Sequence, residues 1–192
     1  MREIIKLFIV VAIFGAVAGG VLASVRDATY DKIESQVWKY VTGPAIEELF
    51  KGCTNDPKED QFILPDGQEE IKVFIAEYDG KRDIVAFETS GKGYDGKIGV
   101  MVGYDLEKDE LVGMRVTTHT ETPGVGSRAT TEIGFIEQFN GKSIGSTFKV
   151  RADGGDIDAM SGATVTSKGV SSGIADSVKK YKRLKEEIRK NM

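Results

Sequence analysis

Between Leu7 and Ala23 every residue is apolar or glycine, and Ile4 and Ile5 extend the run backward across Lys6. No other stretch limits the chain so tightly. A bilayer-spanning helix needs about 20 mostly apolar residues. Residues 4–23 supply them, with the Lys6 ammonium able to snorkel to the edge. Inside a bilayer only a helix satisfies all of one segment's backbone N–H and C=O groups. The run therefore predicts a helix and a membrane-anchored chain. Arg2 and Lys6 precede it, whereas Arg26 and Lys32 beyond it are offset by Asp27 and Asp31. That bias puts the N-terminus in the cytoplasm and the remainder outside the inner cell membrane. A cleaved signal ending at Val21-Leu22-Ala23 is the rival reading; a retained single-pass anchor is the one adopted. Gly15, Gly19 and Gly20 would let another helix approach closely. The expected division is an anchor with a cytoplasmic tip over residues 1–27 and one extracytoplasmic domain over 28–192.

Beyond the anchor the chain reads as a folded domain, with 29% charged and 40% hydrophobic residues overall. A net charge of −4 argues against a nucleic-acid surface, which needs clustered Lys and Arg. The only basic concentration, over residues 179–190, is interrupted by Glu186 and Glu187 and suits a solvated helix face. One cysteine, Cys53, and one histidine, His119, exclude an internal disulfide, a Cys-rich zinc site and a thiolate-ligated iron–sulfur cluster. They also leave only His119 as a possible base for hydrolase chemistry.

Apolar spacing predicts helices over residues 28–41 and 174–190, the second with Ile174, Val178, Tyr181, Leu184 and Ile188 on one face. Gly43-Pro44 stops the first and opens a short helix through Phe50. Residues 53–70 read as a loop. The period then changes, and the segments become short and β-rich. Strands are expected over 71–78, 84–89, 98–104 and 111–118, with turns at Asp79-Gly80 and Glu107–Glu110 joining neighbours. A helix over 131–139 and a strand over 147–150 complete an α+β domain with a mainly antiparallel sheet flanked by helices.

Three segments invite a ligand. Gly91-Lys92-Gly93-Tyr94-Asp95-Gly96 has dinucleotide-fingerprint spacing but leads into a strand, so it reads as a glycine-rich inter-strand loop. His119-Thr120-Glu121-Thr122-Pro123-Gly124-Val125-Gly126 follows a strand and fixes a tight loop with exposed amides. Alone it is equally an ordinary turn. Asp158-Ala159-Met160-Ser161-Gly162-Ala163-Thr164-Val165-Thr166-Ser167 is rich in small and hydroxylated residues and leads toward a helix. It suits an anion, or it is a plain loop with Ser171 or Ser172 capping the helix.

Together the last two segments resemble the periplasmic FMN-binding domain family, which includes the G subunits of Rnf complexes and the C subunits of sodium-translocating NADH:quinone reductases. The resemblance implies FMN joined by a phosphoester to Thr164. Asp158, Ser161, Gly162 and Ala163 would be read by a flavin transferase, Thr166 and Ser167 would line the phosphate side, and Val165 would also contact the cofactor. Glu121, Thr122, Gly124 and Val125 would bracket the ring, with Tyr94 nearby. Val125 stands where many relatives have Leu. The chain's length is similar to that of the Rnf G subunits, which implies an electron-relay subunit of an ion-translocating ferredoxin:NAD oxidoreductase. Its partners would be the other membrane and iron–sulfur subunits. The alternatives are the C subunit of the quinone reductase and, in another class, an anchored ligand-binding module without a redox role.

Overall fold

The computed structural model describes residues 2–192, and the chain divides into two compact units after Tyr40. The first unit is helix α1, Arg2–Val37. An 18-residue window of this helix has a mean hydropathy of 2.5 and none of it is buried, so it is long and apolar enough to cross a membrane. The helices expected over 4–23 and 28–41 are one helix as far as Val37. Nothing between them breaks a helix: Ser24 and Thr29 return their hydroxyls to the carbonyls of Gly20 and Val25, at 2.9 and 2.8 Å. A π-helical turn, Trp38–Thr42, follows α1.

In the second unit, helix α2, Gly43–Leu49, carries Pro44 in its first turn, where the missing N–H costs nothing. Five strands then form an antiparallel sheet in chain order: β1 Gln61–Asp66, β2 Glu69–Tyr78, β3 Lys81–Lys92, β4 Lys97–Asp105 and β5 Glu110–Val116. Each pairs with the next as a hairpin. Asp79 and Gly80 both take positive φ, 51° and 78°, as a two-residue hairpin turn requires. Strand β1 lies within the segment expected to be a loop. Its Pro65 argued against a strand, but β1 is an edge strand, where a missing N–H is tolerated. The other edge is covered, because Leu111 exchanges backbone hydrogen bonds with Gly141 and Lys142.

Of the helix expected over 131–139, a single α-turn, α3 Ile133–Ile136, and a following 3₁₀ turn form. The strand expected over 147–150 is reduced to one bridge, Val150 to Ile157. The last helix, α4, spans Thr164–Lys190 and begins ten residues before the position its apolar face predicts. Its first turns hold Thr166, Ser167, Gly169, Ser171 and Ser172, which are poor helix formers. Tertiary contacts outweigh that tendency, and Ser171 and Ser172 lie inside the helix instead of capping it.

Helix α4 lies across β3 and β4 on one face of the sheet. Val85 and Phe87 of β3, Ile98, Val100, Val102 and Tyr104 of β4, and Val170, Ile174, Val178 and Tyr181 of α4 belong to one buried core. Tyr104 stacks on Phe87 and on Tyr181, with ring centroids 5.4 and 4.3 Å apart. Its buried hydroxyl lies 2.6 Å from Ser177 Oγ, so the ring's polar end is also satisfied. Toward its N-terminal end α4 approaches β3 at backbone distance. A Cβ on Gly169 would lie 2.7 Å from the Lys92 carbonyl oxygen, and one on Gly173 would lie 3.0 Å from the Gly91 nitrogen. On the opposite face, Leu49 of α2 settles over Gly103 and Gly113, which face each other across β4 and β5.

At this crossing Gly169→Ala forces a methyl group against strand backbone that cannot step aside, and should cost about 1–3 kcal/mol in urea unfolding. The β4–β5 turn is tied to α4 by Asp109, which accepts hydrogen bonds from Tyr181 Oη at 2.9 Å and Lys185 Nζ at 2.5 Å. The Lys185 ammonium holds the Asp109 carboxyl below its ordinary value. A depressed acid stabilises the fold above its unfolded pKa, and that contribution is lost as pH falls through the folded pKa. Acidification below about pH 4 should therefore lower the urea midpoint, and Asp109→Asn should show a smaller acid-side drop than the parent.

Candidate functional site

Three chain segments converge beside the first turn of α4. The first is the β3–β4 loop, closed by a hydrogen bond from Gly93 N–H to the Gly96 carbonyl at 2.7 Å. The second is the segment after β5. There Gly124 adopts φ +73° and donates its N–H to Ser127 Oγ at 2.9 Å, while Val125 N–H reaches the Thr122 carbonyl at 3.1 Å. The third is the turn before α4, closed by Ala163 N–H on the Met160 carbonyl at 3.0 Å, with Gly162 at φ +77°. Ser167 pins this turn from beneath. Its hydroxyl donates to the Ala163 carbonyl at 2.9 Å and accepts from Met160 N–H at 3.0 Å.

Glu121 joins the three. One carboxylate oxygen accepts the Asp95 N–H at 3.0 Å, and the other accepts the Thr166 hydroxyl. The residue is 5% exposed. Neighbouring glycines make room for it. A Cβ on Gly126 would lie 2.5 Å from Glu121 Oε2 and 2.6 Å from Thr166 Oγ1, and a Cβ on Gly93 would collide with Glu121 Oε1 and the Ile98 side chain.

The convergence encloses a cavity of about 320 Å³, lined by Tyr94, Glu121, Thr122, Val125, Gly126, Gly162, Ala163, Thr164, Val165 and Thr166. Its size lies at the small end of ligand pockets. Tyr94, at 76% exposed, and Val125 and Val165, at 43% and 47%, form an open apolar rim. The floor is polar. Thr164 is the first residue of α4 and is exposed, and the preceding Ala163 offers no side-chain cap. The amides of Thr164, Val165 and Thr166 lie in the first turn, where no intrahelical acceptor exists. That end of a helix carries partial positive charge and suits an anion.

Most residues expected at the site line this cavity, but four do not. Ser167 is fully buried below the turn, Gly124 shapes its loop from outside, Ser161 is exposed, and Asp158 lies beyond the rim. Asp158 is held from two sides. Arg151 Nε donates to its Oδ1 at 2.5 Å, and its backbone N–H reaches Gln138 Oε1 at 2.7 Å. The Asp158 carboxylate in turn holds the Arg151 guanidinium above its ordinary value. Ser161 is held through its carbonyl by Arg128 Nη1 at 3.0 Å. His119 is half-buried, and no hydrogen bond satisfies its Nδ1. No cluster of three or more His, Cys, Asp or Glu that could hold a metal ion occurs among the described residues.

Sequence reasoning missed Arg128, Gln138 and Arg151, whereas Gly93 and Gly126 lay within the two glycine-bearing loops it singled out. The Arg128 and Gln138 contacts span 33 and 20 residues, and nothing local marks them. Gly126 was legible as part of the glycine-proline loop, but its clearance of Glu121 was not.

Residues 93–179, which include every cavity residue, match the model of the FMN-binding domain. The G subunit of the ion-translocating oxidoreductase complex of Cereibacter sphaeroides is 34% identical over 84% of this chain and 77% of its own length. The protein of the same name from Vibrio atlanticus is 30% identical over 93% and 90%. The chain belongs to this G-subunit family. Its fold is shared more widely. The C subunit of the Na(+)-translocating NADH-quinone reductase from Parabacteroides distasonis superposes with a TM-score of 0.51 at 27% identity, covering 60% of this chain and 63% of that one. NqrC of Shewanella oneidensis superposes at 0.53 with 21% identity, covering 71% and 75%. The family agrees with the resemblance carried by the two motifs, and the antiparallel sheet with flanking helices is the fold that the strand segments and their turns predicted. Gly126 is one position where the cavity leaves no room for a side chain. Gly126→Ala should break the Glu121–Thr166 hydrogen bond and lower the thermal midpoint, whereas Gly134→Ala, with nothing within 4 Å of the added Cβ, should not.

Proposed function

We propose that this chain carries FMN on Thr164 and relays electrons within a membrane-bound, ion-translocating ferredoxin:NAD oxidoreductase. The observation that carries the reading is the position of Thr164. It is exposed, lines the cavity and opens a 27-residue helix that has no side-chain cap. A hydroxyl there can be esterified by a phosphate whose remaining oxygens meet the free amides of the first turn. The exposed Tyr94, Val125 and Val165 suit the face of an aromatic ring, and Glu121 and Thr122 supply polar contacts. The residues present therefore fit FMN.

Attachment would proceed from FAD through a flavin transferase. The Thr164 oxygen forms a bond to the flavin-side phosphorus, the pyrophosphate P–O bond breaks, AMP leaves with its oxygen, and the hydroxyl proton is released. Asp158, Ser161, Gly162 and Ala163 are the residues read by that enzyme. Asp158 and Ser161 lie outside the cavity and are exposed, where a second protein can reach them. The flavin supplies the redox chemistry, and the chain binds, orients and shields it. A covalent tether keeps the cofactor at high effective concentration outside the cytoplasm, where free flavin diffuses away.

The apolar part of α1 gives way to Arg26 and Asp27, which supports a membrane boundary near residue 27. Arg2 and Lys6 orient the N-terminus to the cytoplasm and residues 28–192 to the outer side. The partners are the other membrane and iron–sulfur subunits of the complex. The names of the relatives, G subunits of an ion-translocating oxidoreductase complex, favour this assembly over the quinone reductase.

Intact-mass analysis of protein co-expressed with the flavin transferase tests the attachment. The parent should carry one FMN adduct, and Thr164→Ala should carry none and be colourless after denaturation. An adduct retained by Thr164→Ala would place the bond elsewhere.

A further inference from the structure

Glu121 is a buried acid without a counter-ion. It lines the cofactor cavity and is 5% exposed. No ion pair includes it among the described residues. Three cations on neighbouring segments are occupied elsewhere: Arg128 is held by Glu132 and the Ser161 carbonyl, Lys168 pairs with Asp153, and Lys92 lines a separate groove. Its two oxygens are each engaged, one by the Asp95 N–H and the other by the Thr166 hydroxyl, and neither meets a cation among the described residues.

Burying a charge is costly, so its presence needs a reason. Hydrogen bonding does not supply one. A carboxamide in the same place could accept the Asp95 N–H and donate to the Thr166 hydroxyl, and would bring no charge into the interior. Packing does not supply one either. Side-chain space at Gly93 and Gly126 is given up around the carboxylate, so the chain accommodates the acid at the expense of apolar contacts. What a carboxylate offers and a carboxamide lacks is a fixed negative charge on the cavity wall.

We infer that Glu121 lowers the reduction potential of the flavin held in this cavity. The inference rests on the cavity's being the FMN site. Reduction adds negative charge there, and a neighbouring fixed charge opposes it. The opposition is stronger in a partly buried site than in water, and salt screens it little. The open rim at Tyr94, Val125 and Val165 leaves electron exchange unobstructed while Glu121 acts from the enclosed side.

The test is a spectroelectrochemical titration of the full-length, flavin-loaded chain in detergent, with the adduct verified by intact mass. Glu121→Gln should fold, load FMN and titrate at a more positive midpoint, and the shift should persist at about 1 M salt, where exposed charges are screened. Glu121→Asp, which keeps the charge, should stay near the parent, as should Glu137→Gln, which removes an exposed carboxylate outside the cavity. A Gln variant at the parent's midpoint overturns the inference. So does one that folds yet takes no flavin while the Asp variant loads, because the charge then serves attachment. A Gln variant that fails to fold overturns it as well, since the charge would be structural. A parent chain without any adduct overturns the reading of the site itself, which separates the two failures.

Discussion

The backbone-close crossing of β3 and α4 is the contact on which the arrangement depends. Gly91, Gly169 and Gly173 let a helix and a strand meet with no side chain between them. At such a distance the helix cannot slide or rotate without collision, so the position of its first residue is fixed relative to the end of β3. The same strand end leads directly into the loop bearing Gly93 and Tyr94. One contact thus sets both the floor of the cavity, from the start of α4, and one wall of it. The aromatic stack of Phe87, Tyr104 and Tyr181 keeps the rest of α4 aligned with the sheet farther along.

The site is assembled from pieces that each break a local preference. A helix begins with threonine and serine and has no capping side chain, a carboxylate is buried without a cation among the described residues, and two loops turn through glycines at positive φ. Such departures concentrate where a protein exchanges stability for function. Here they coincide in space around the cavity that Thr164 lines, whereas the C-terminal half of α4 follows ordinary patterning.

Much of this was legible in the sequence, and the divide follows the range of the forces involved. The β-rich composition of β2 through β5 and the Asp79-Gly80 turn marked the sheet because they are local signals. The apolar run marked α1 as long and apolar enough for a membrane. The start of α4 was misplaced because Thr166, Ser167 and Gly169 have low helix propensity, and their compensating contacts come from residues far away in sequence. Strand β1 was missed because Pro65 is a breaker except at an edge, and edges are invisible before the topology is known. At the site, residue types revealed the loops and the hydroxyl. The junction made by Glu121 was hidden, since Asp95 and Thr166 lie 26 and 45 residues from it.

The two borders of the sheet bear on how such a chain behaves when confined to a surface. A tether to a bilayer crowds molecules into two dimensions, where an unprotected row of strand amides invites pairing between copies. Along β5 that row is interrupted at Leu111, which is paired with Gly141 and Lys142. Along β1, Pro65 removes a donor from the row, and Asp66 beside it is engaged by Lys180 and Arg183 of α4. Neither border presents an uninterrupted ladder, so the proline that obscured β1 in the sequence also makes the strand a poor template for self-association.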